Sequence, residues 1–253
     1  MTIKILYKNL FDEAETITPS SEVDGFFYEN LYSGNTTESW KFDESVDVSG
    51  FGTVELTFTS PVSADCFCFY GTSLHETSGS IALEYHNGTS WVNVVTVSPT
   101  EQRPYMVEFS EISSDYWRIV LTSSPAVALG DVRFGKLIET ERGAWIGETP
   151  LNMAENYDYN TSMSDKGALI GAEVTRTGIK EKIDIKFMSF NWVEQKLKPF
   201  VEYANQLKPF YLMWASERPD DIAFVWLDKR AAIPKITHHN RMSVSLNIRG
   251  LVK

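Results

Sequence analysis

"IALEYHNGTSWVNVVTV", residues 81–97, spells out a strand, a turn and a second strand. Ile81, Leu83 and Tyr85 share one face, and Glu84 falls on the other, as the period of two in an extended chain requires. Asn87-Gly88 follows, the strongest short hairpin signal, because a two-residue turn needs positive φ and these residues tolerate it. The same alternation recurs on both sides. "TVELTF" (53–58) aligns Val54, Leu56 and Phe58. "YMVEF" (105–109) aligns Tyr105, Val107 and Phe109. "SSDYWRIVLTSS" (113–124) sets Trp117, Ile119 and Leu121 against Arg118, and "ALGDVRFGKL" (128–137) reads as a closing strand. No segment before Glu139 has helical periodicity. Many short strands separated by turns predict a β-sandwich for this half.

The pattern changes after Ile138. Residues 139–167, "ETERGAWIGETPLNMAENYDYNTSMSDKG", are polar and turn-rich and read as a linker or long connecting loop with local strands. "EKIDIKF" then alternates, with Ile183, Ile185 and Phe187 inward and Lys182, Asp184 and Lys186 outward. "NWVEQKLKPFVEYANQ" (191–206) is the one helix candidate, with Val193, Leu197, Phe200, Val201 and Ala204 on one face. Pro199 inside it predicts a kink, or a short turn followed by a new helix with Pro199 near its start. Strands resume with "PFYLMWA", "IAFVWL" and "RMSVSLNIRGLVK", the last aligning Met242, Val244, Leu246 and Ile248. This half reads as α+β.

The 253 residues are 43% hydrophobic and 23% charged, which is globular composition and argues against disorder of the whole chain. The net charge of −11 argues against a nucleic-acid partner, which needs a basic stripe. No window approaches the roughly 18 uninterrupted apolar residues of a membrane span. The first residues hold no apolar run of signal-peptide length, so folding in a cytoplasm is expected, and the sequons at Asn35, Asn87 and Asn160 are read as chance. Cys66 and Cys68 lie two apart on one strand, poorly placed for a disulfide, and are expected to be buried thiols.

The order of "NLYSGNTTESW" ending at Trp40, "IALEYHNGTSWVNVV", "YWRIVLTSS" and "GDVRFGKL" resembles the galactose-binding-like, or discoidin, β-sandwich family. The family's frequent cysteine pair is absent. The remainder resembles the C-terminal half of siphophage tail-tip proteins of the distal-tail or minor-tail kind. "KIDIKFMSF" before the helix, "KPFYLMWASERPDDIAFVWL" and the amphipathic end "RMSVSLNIRGLVK" are the stretches that do so. The expected architecture is mainly β: a galactose-binding-like β-sandwich (jelly roll) over 1–140, then an α+β tail-tip domain with one kinked helix over 141–253.

Catalytic equipment is not visible. The four histidines sit in polar turns or between strands, and adjacent His238 and His239 cannot both face one metal from a regular strand. A surface or interface role is expected for that pair. "GFG" at 50–52 matches neither phosphate-loop pattern, and no Gly-x-Ser-x-Gly elbow occurs. Glu217, Asp220 and Asp221 of "SERPDD" read as a polar turn between strands. No cofactor is expected from the motifs. The galactose-binding-like resemblance alone implies calcium near "DESVD" (43–47), with Asp43 and Asp47 as weak candidate ligands, set against plain solvated acidic surface. Tyr28, Tyr32 and Trp40 lie where sandwich loops are expected and are the candidate sugar-stacking residues, set against packing. Trp145, Trp214 and Trp226 are the candidate interface residues, set against a place in the core.

The reading is a non-enzymatic structural component of a phage tail tip or baseplate, forming a homo-oligomeric ring around the tail axis. Its partners would be its own copies, tail-tube and tail-tip proteins, and a host surface glycan contacted by the sandwich. It would assemble in the bacterial host cytoplasm and end in the virion tail. The alternative is a monomeric carbohydrate-binding module protein.

Overall fold

The computed structural model describes residues 2–143, 149–229, 234–238 and 240–252. The chain divides into two compact bodies. One takes Lys4–Glu139 and the returning segment Pro209–Leu212. The other takes the first residues up to Ile3, Thr140–Lys208 and Met213–Val252. The protein is mostly β, as the alternation predicts.

In the first body β1 (Lys4–Leu6) is followed by β2 (Thr16–Pro19), β3 (Phe51–Thr72), β4 (Ser80–His86) and β5 (Trp91–Val97). Then come β6 (Tyr105–Thr122), β7 (Leu129–Gly135) and β8 (Ile138–Glu139). One antiparallel sheet runs β2-β3-β6-β4-β5, with β7 added to β3. The Asn-Gly hairpin closes as expected, pairing His86 with Trp91 and Ile81 with Val97. Val54, Leu56, Phe58, Ile81, Leu83, Trp117, Ile119 and Leu121 are all buried and join one core with Trp40, Phe42 and Phe134. Two register shifts in the β3–β6 pairing, at Thr57/Val62 and Ala64/Cys66, bend these long strands so that one sheet wraps its own core.

β7 is buried along its whole length. Val132 and Phe134 join the core, while Asp131 and Arg133 fall on the opposite face and are also buried. The Arg133 guanidinium grips Asp131 through Nε at 2.9 Å and Nη2 at 3.0 Å. Its Nη1 donates to the carbonyls of Pro209 at 2.7 Å and Tyr7 at 3.4 Å. The Tyr211 hydroxyl donates to the Asp131 carbonyl at 3.3 Å. One buried ion pair therefore ties the amino-terminal segment and the returning segment to the sandwich. Cys66 and Cys68 are buried and free, their Sγ atoms 3.8 Å apart. Burial, first, pushes the Cys68 thiol well above its usual value.

In the second body β9 (Glu155–Met163) and β10 (Leu169–Ser189) are followed, beyond β11 (Phe210–Met213), by β12 (Ile222–Leu227), β13 (Lys235–His238) and β14 (Arg241–Leu251). The strands run β12-β14-β10-β9, with β13 on β14. Ile183 and Ile185 point inward as expected. Phe187 does not: a bulge between Ile185 and Met188 gives Phe187 a φ of 60° and turns Met188 into the core instead.

The helical segment, residues 190–204, starts on Ser189, whose Oγ accepts from the Trp192 N–H at 3.3 Å. Glu141 accepts from the N–H and the hydroxyl of Ser189 at 2.7 and 2.6 Å, placing an anion at the helix start. Val193, Leu197, Phe200, Val201 and Ala204 are buried, the face read from the sequence. Pro199 has no N–H, and its ring would strike the carbonyl of residue 195. The chain answers with a wider turn at Val193–Leu197, where Lys198 N–H reaches back five residues to the Val193 carbonyl. An α-turn with Pro199 at its start then follows.

Residues 139–167, read as a linker or long connecting loop with local strands, contain one nine-residue strand, Glu155–Met163. Tyr157, Tyr159 and Thr161 alternate as strand formers, but the described side chains there are largely exposed, so no apolar face marks them in the sequence.

Candidate functional site

The loop from Ser21 to Ser33 holds the sandwich's candidate ligand face. It is pinned by backbone hydrogen bonds between Val23, Phe26 and Lys41, and by Asn30 Nδ2 donating to the Ser39 carbonyl at 2.9 Å. Trp40 is fully buried. Its Nε1 donates to the Ser21 carbonyl at 3.3 Å, and its backbone forms an isolated bridge with Leu129. An indole without an accessible face has none to lend to a sugar, so Trp40 is a post that holds the loop. Tyr32 is half-buried and stacks on Phe11, centroids 5.3 Å apart. Tyr28 is half-buried beside it, in the 3-10 turn Tyr28–Leu31. Burial, then Glu29 and Glu22, raises the Tyr28 hydroxyl. Burial, then Tyr28 and Glu29, raises that of Tyr32. Both stay neutral hydrogen-bonding groups around neutral pH. The sequence reading missed Phe26 and Phe27, which are 37% and 43% exposed next to Tyr28. The run "GFFY" after an Asp-Gly turn was the available signal.

Asp43 and Asp47 lie near one another along a turn, but hydroxyls hold them. Asp47 Oδ2 accepts from Ser20 at 2.7 Å and Ser21 at 2.5 Å. Asp43 Oδ1 accepts from the Ser45 hydroxyl and N–H, which hold its carboxyl below the usual range. Among the described residues no group of three or more His, Cys, Asp or Glu is arranged to hold a metal ion.

On the outer face of the hairpin, the Arg118 guanidinium lies 4.4 Å over the Trp91 ring and donates to Glu84 at 2.7 Å, while His86 meets Trp91 edge-on at 5.3 Å. That face is spent on its own contacts.

Of the candidate interface residues, Trp145 lies outside the described residues. Trp214 is buried within this chain. Trp226 is half-buried on β12, opposite Arg249. His239 also lies outside the described residues. Asp221 is buried and accepts from the Asn152 N–H at 2.8 Å, a turn-fastening role; burial raises its carboxyl.

The second body carries a feature that no sequence motif announces. β9 pairs with β10 from Met163↔Leu169 down to Glu155↔Ile179, and from Ile179 onward β10 pairs also with β14. Residues 156–178 are therefore a two-stranded arm, roughly 30 Å long at the rise of an extended chain. Its turn is well made: Ser164 N–H donates to the Ala168 carbonyl, Gly167 N–H to the Ser164 carbonyl, and Gly167 takes a φ of 78°. Met163, Leu169 and Ile170 near this turn are 58%, 60% and 70% exposed, and Tyr157 is 43% exposed. At the root, Gly178 has a φ of 81°, and a Cβ there would collide with the Gly250 carbonyl. The same body has an apolar cavity of about 320 Å³ along the helical segment. Phe190, Val193, Val201 and Met242 line it, with Glu194, Lys198 and Glu202 spaced four apart beside them.

No family model matches the chain, and no curated protein matches it. Among solved structures it is similar to a pectin-binding carbohydrate-binding module, with 14% identity over 49% of this chain and 91% of the module, TM-score 0.40. It is also similar to chitosan-binding module 1 of a chitosanase/glucanase from Paenibacillus sp. IK-5, with 20% identity over 51% of this chain and all of the module, TM-score 0.41. A putative α-L-fucosidase from Bacteroides thetaiotaomicron is similar at 13% identity over 51% of this chain and 28% of that chain, TM-score 0.42. No helix among the described residues is long and apolar enough to cross a membrane.

Proposed function

We propose that this protein is a structural component of a phage tail tip or baseplate, assembling with its own copies and with neighbouring tail proteins into a ring or collar. Its work is assembly and recognition, and no reaction is assigned to it. The observation that carries this reading is the arm of residues 156–178. An isolated two-stranded hairpin is marginal in water. One whose described side chains are exposed on both faces, with β9 at the sheet edge among the described residues, is built to be covered by another chain. The three stretches on which the tail-tip resemblance rests, around β10, β12 and β14, are neighbours in one sheet, which supports the same reading. The sandwich would brace adjacent proteins or touch host surface glycan, each weak contact multiplied by the copy number. The virion tail would be its final place, after assembly in the bacterial cytoplasm.

Size exclusion with light scattering and negative-stain imaging of the same peak tests this. Closed rings or stacks of them are expected. A chain that stays monomeric at high concentration, alone and with tail partners, would sink it.

A second reading, a carbohydrate-binding protein acting as a monomer, is favoured by the exposed rings of Phe26 and Phe27 beside Tyr28. A sugar's apolar face stacks on such rings while hydroxyls and carboxylates orient it. A glycan array would then show binding that the Phe27→Ala variant loses.

A further inference from the structure

We propose that the arm tip of one copy seats in the apolar cavity beside the helical segment of a second copy. This inference rests on the assembly reading above and names the contact that reading needs. Three observations meet in it. The tip presents Met163, Leu169 and Ile170 to solvent, all more than half exposed, in a segment that already has a defined turn. The cavity is open, floored by Phe190, Val193, Val201 and Met242, and at about 320 Å³ it lies near the lower end of the range for ligand pockets, enough for the end of a hairpin. The charges fit: Asp165 and Lys166 occupy the tip turn, and Glu194, Lys198 and Glu202 flank the cavity in an acid–base–acid row. A seated tip places Lys166 toward Glu194 or Glu202 and Asp165 toward Lys198.

Knob and hole belong to different places on the same chain, so copies can join head to tail. Such a contact repeats around an axis and closes into a ring when the rotation allows, or runs on as a filament when it does not. Reciprocal seating about a two-fold axis, each tip in the other's cavity, would close as a dimer instead, and the sedimentation coefficient distinguishes the two. Apolar burial supplies the affinity and the charge row sets the register.

Sedimentation velocity on the full chain tests it, with four variants: Ile170→Asp, Phe190→Asp, Lys166→Glu and Glu202→Lys. Ile170 and Phe190 are 70% and 46% exposed, so their variants should melt like the parent. Each aspartate is expected to weaken self-association by ~100-fold or more, because a carboxylate must be desolvated at the seat. Lys166→Glu and Glu202→Lys should each weaken it, and the double variant should regain part of the loss. Mixing Ile170→Cys chains with Phe190→Cys chains under oxidation should give a cross-linked dimer, with buried Cys66 and Cys68 kept out of the reaction. If the parent assembles and both aspartate variants assemble equally well, the seat is wrong and the assembly reading stands. A parent that stays monomeric up to about 1 mM overturns the seat, and one that also fails to assemble with tail partners overturns both.

Discussion

Replacing Arg133 by methionine should unfold the sandwich at markedly lower denaturant. Methionine keeps much of the side chain's apolar length but removes every donor of the guanidinium. Asp131, 1% exposed, then loses both of its charge-assisted hydrogen bonds, at 2.9 and 3.0 Å. The Pro209 and Tyr7 carbonyls lose their Nη1 donor. Breaking one partner out of a buried ion pair costs about 3–5 kcal/mol, chiefly because an uncompensated charge stays behind. Four kcal/mol corresponds to a fall in Tm of ~8–16 °C for a chain of this size class. The remedy is as informative as the damage. Arg133→Met combined with Asp131→Leu removes the orphaned charge and should recover more than half of the loss. Urea melts followed by near-ultraviolet circular dichroism report on the buried Trp40 and Trp117 of this body. A loss below about 1 kcal/mol for the single variant, or a double variant worse than the single, would refute the argument that this pair is a desolvated tether.

Burial opposes the charge on Asp184, but the Ser245 hydroxyl and the ammonium groups of Lys186 and Lys182, each 3.0 Å away, outweigh it and hold its pKa at about 2 against 3.8. A carboxyl depressed on folding adds stability above its unfolded value and loses it as pH falls from about 4 through 2. Asp184→Asn should therefore cost about 1 kcal/mol at pH 7 after solvent screening and almost nothing near pH 2, in paired urea melts. Cys66 and Cys68 should resist alkylation in the native protein at pH 8 and react once unfolded, because burial raises Cys68 and shields both; rapid native labelling by mass spectrometry would contradict the packing. Gly178→Ala should cost at least ~2 kcal/mol, since an L residue is strained at its φ of 81° and the new Cβ meets the Gly250 carbonyl. Hydrogen exchange should show the loss at the root of the arm, and unchanged protection at Gly250 would count against it.

The sandwich was legible because its main strands set a dry face against a wetter one. Val54, Leu56 and Phe58 announce themselves by contrast with Glu55 and Thr57, and Asn87-Gly88 marks the turn between β4 and β5. The helix was legible for the same reason, and Pro199 foretold the disturbance, though not that a five-residue turn would absorb it. Phe187 was misplaced because a bulge adds a residue without changing composition, and every later side chain then shifts face. For Trp40 the sequence left sugar contact and packing both open, because a loop tryptophan reads the same whether it points outward or caps the core; the loop closed over it and left Phe26 and Phe27 outside. The Arg133–Asp131 pair was hidden inside "GDVRFGKL", where two charged residues alternate with apolar ones as they would on any wet-faced strand. What makes that face dry is Pro209–Leu212, more than seventy residues away in sequence.

The arm was the least legible element, and for a reason that bears on function. A strand that packs within its own chain buries at least one apolar face as the chain folds. β9 does not: "ENYDYNTSM" has strand-forming residues but no run of apolar ones, and its described side chains from Asn156 to Met163, like those of Leu169–Glu173 in β10, are exposed. Such a ribbon gains little from burial while it pays the conformational entropy of ordering each residue, of order 1 kcal/mol apiece or more. Cross-strand hydrogen bonds offset part of that cost, since their net worth is near 1 kcal/mol each. The balance is close to zero, and a partner that covers Met163, Leu169 and Ile170 tips it. The prediction is sharp in hydrogen exchange: amides of residues 156–178 should exchange fast at dilution and slow as assembly proceeds, while those of Ile183 and Ile185 stay protected throughout. Arm amides already protected in a monomer would mean that the ribbon stands by itself, and the case for a second chain would lose its physical ground.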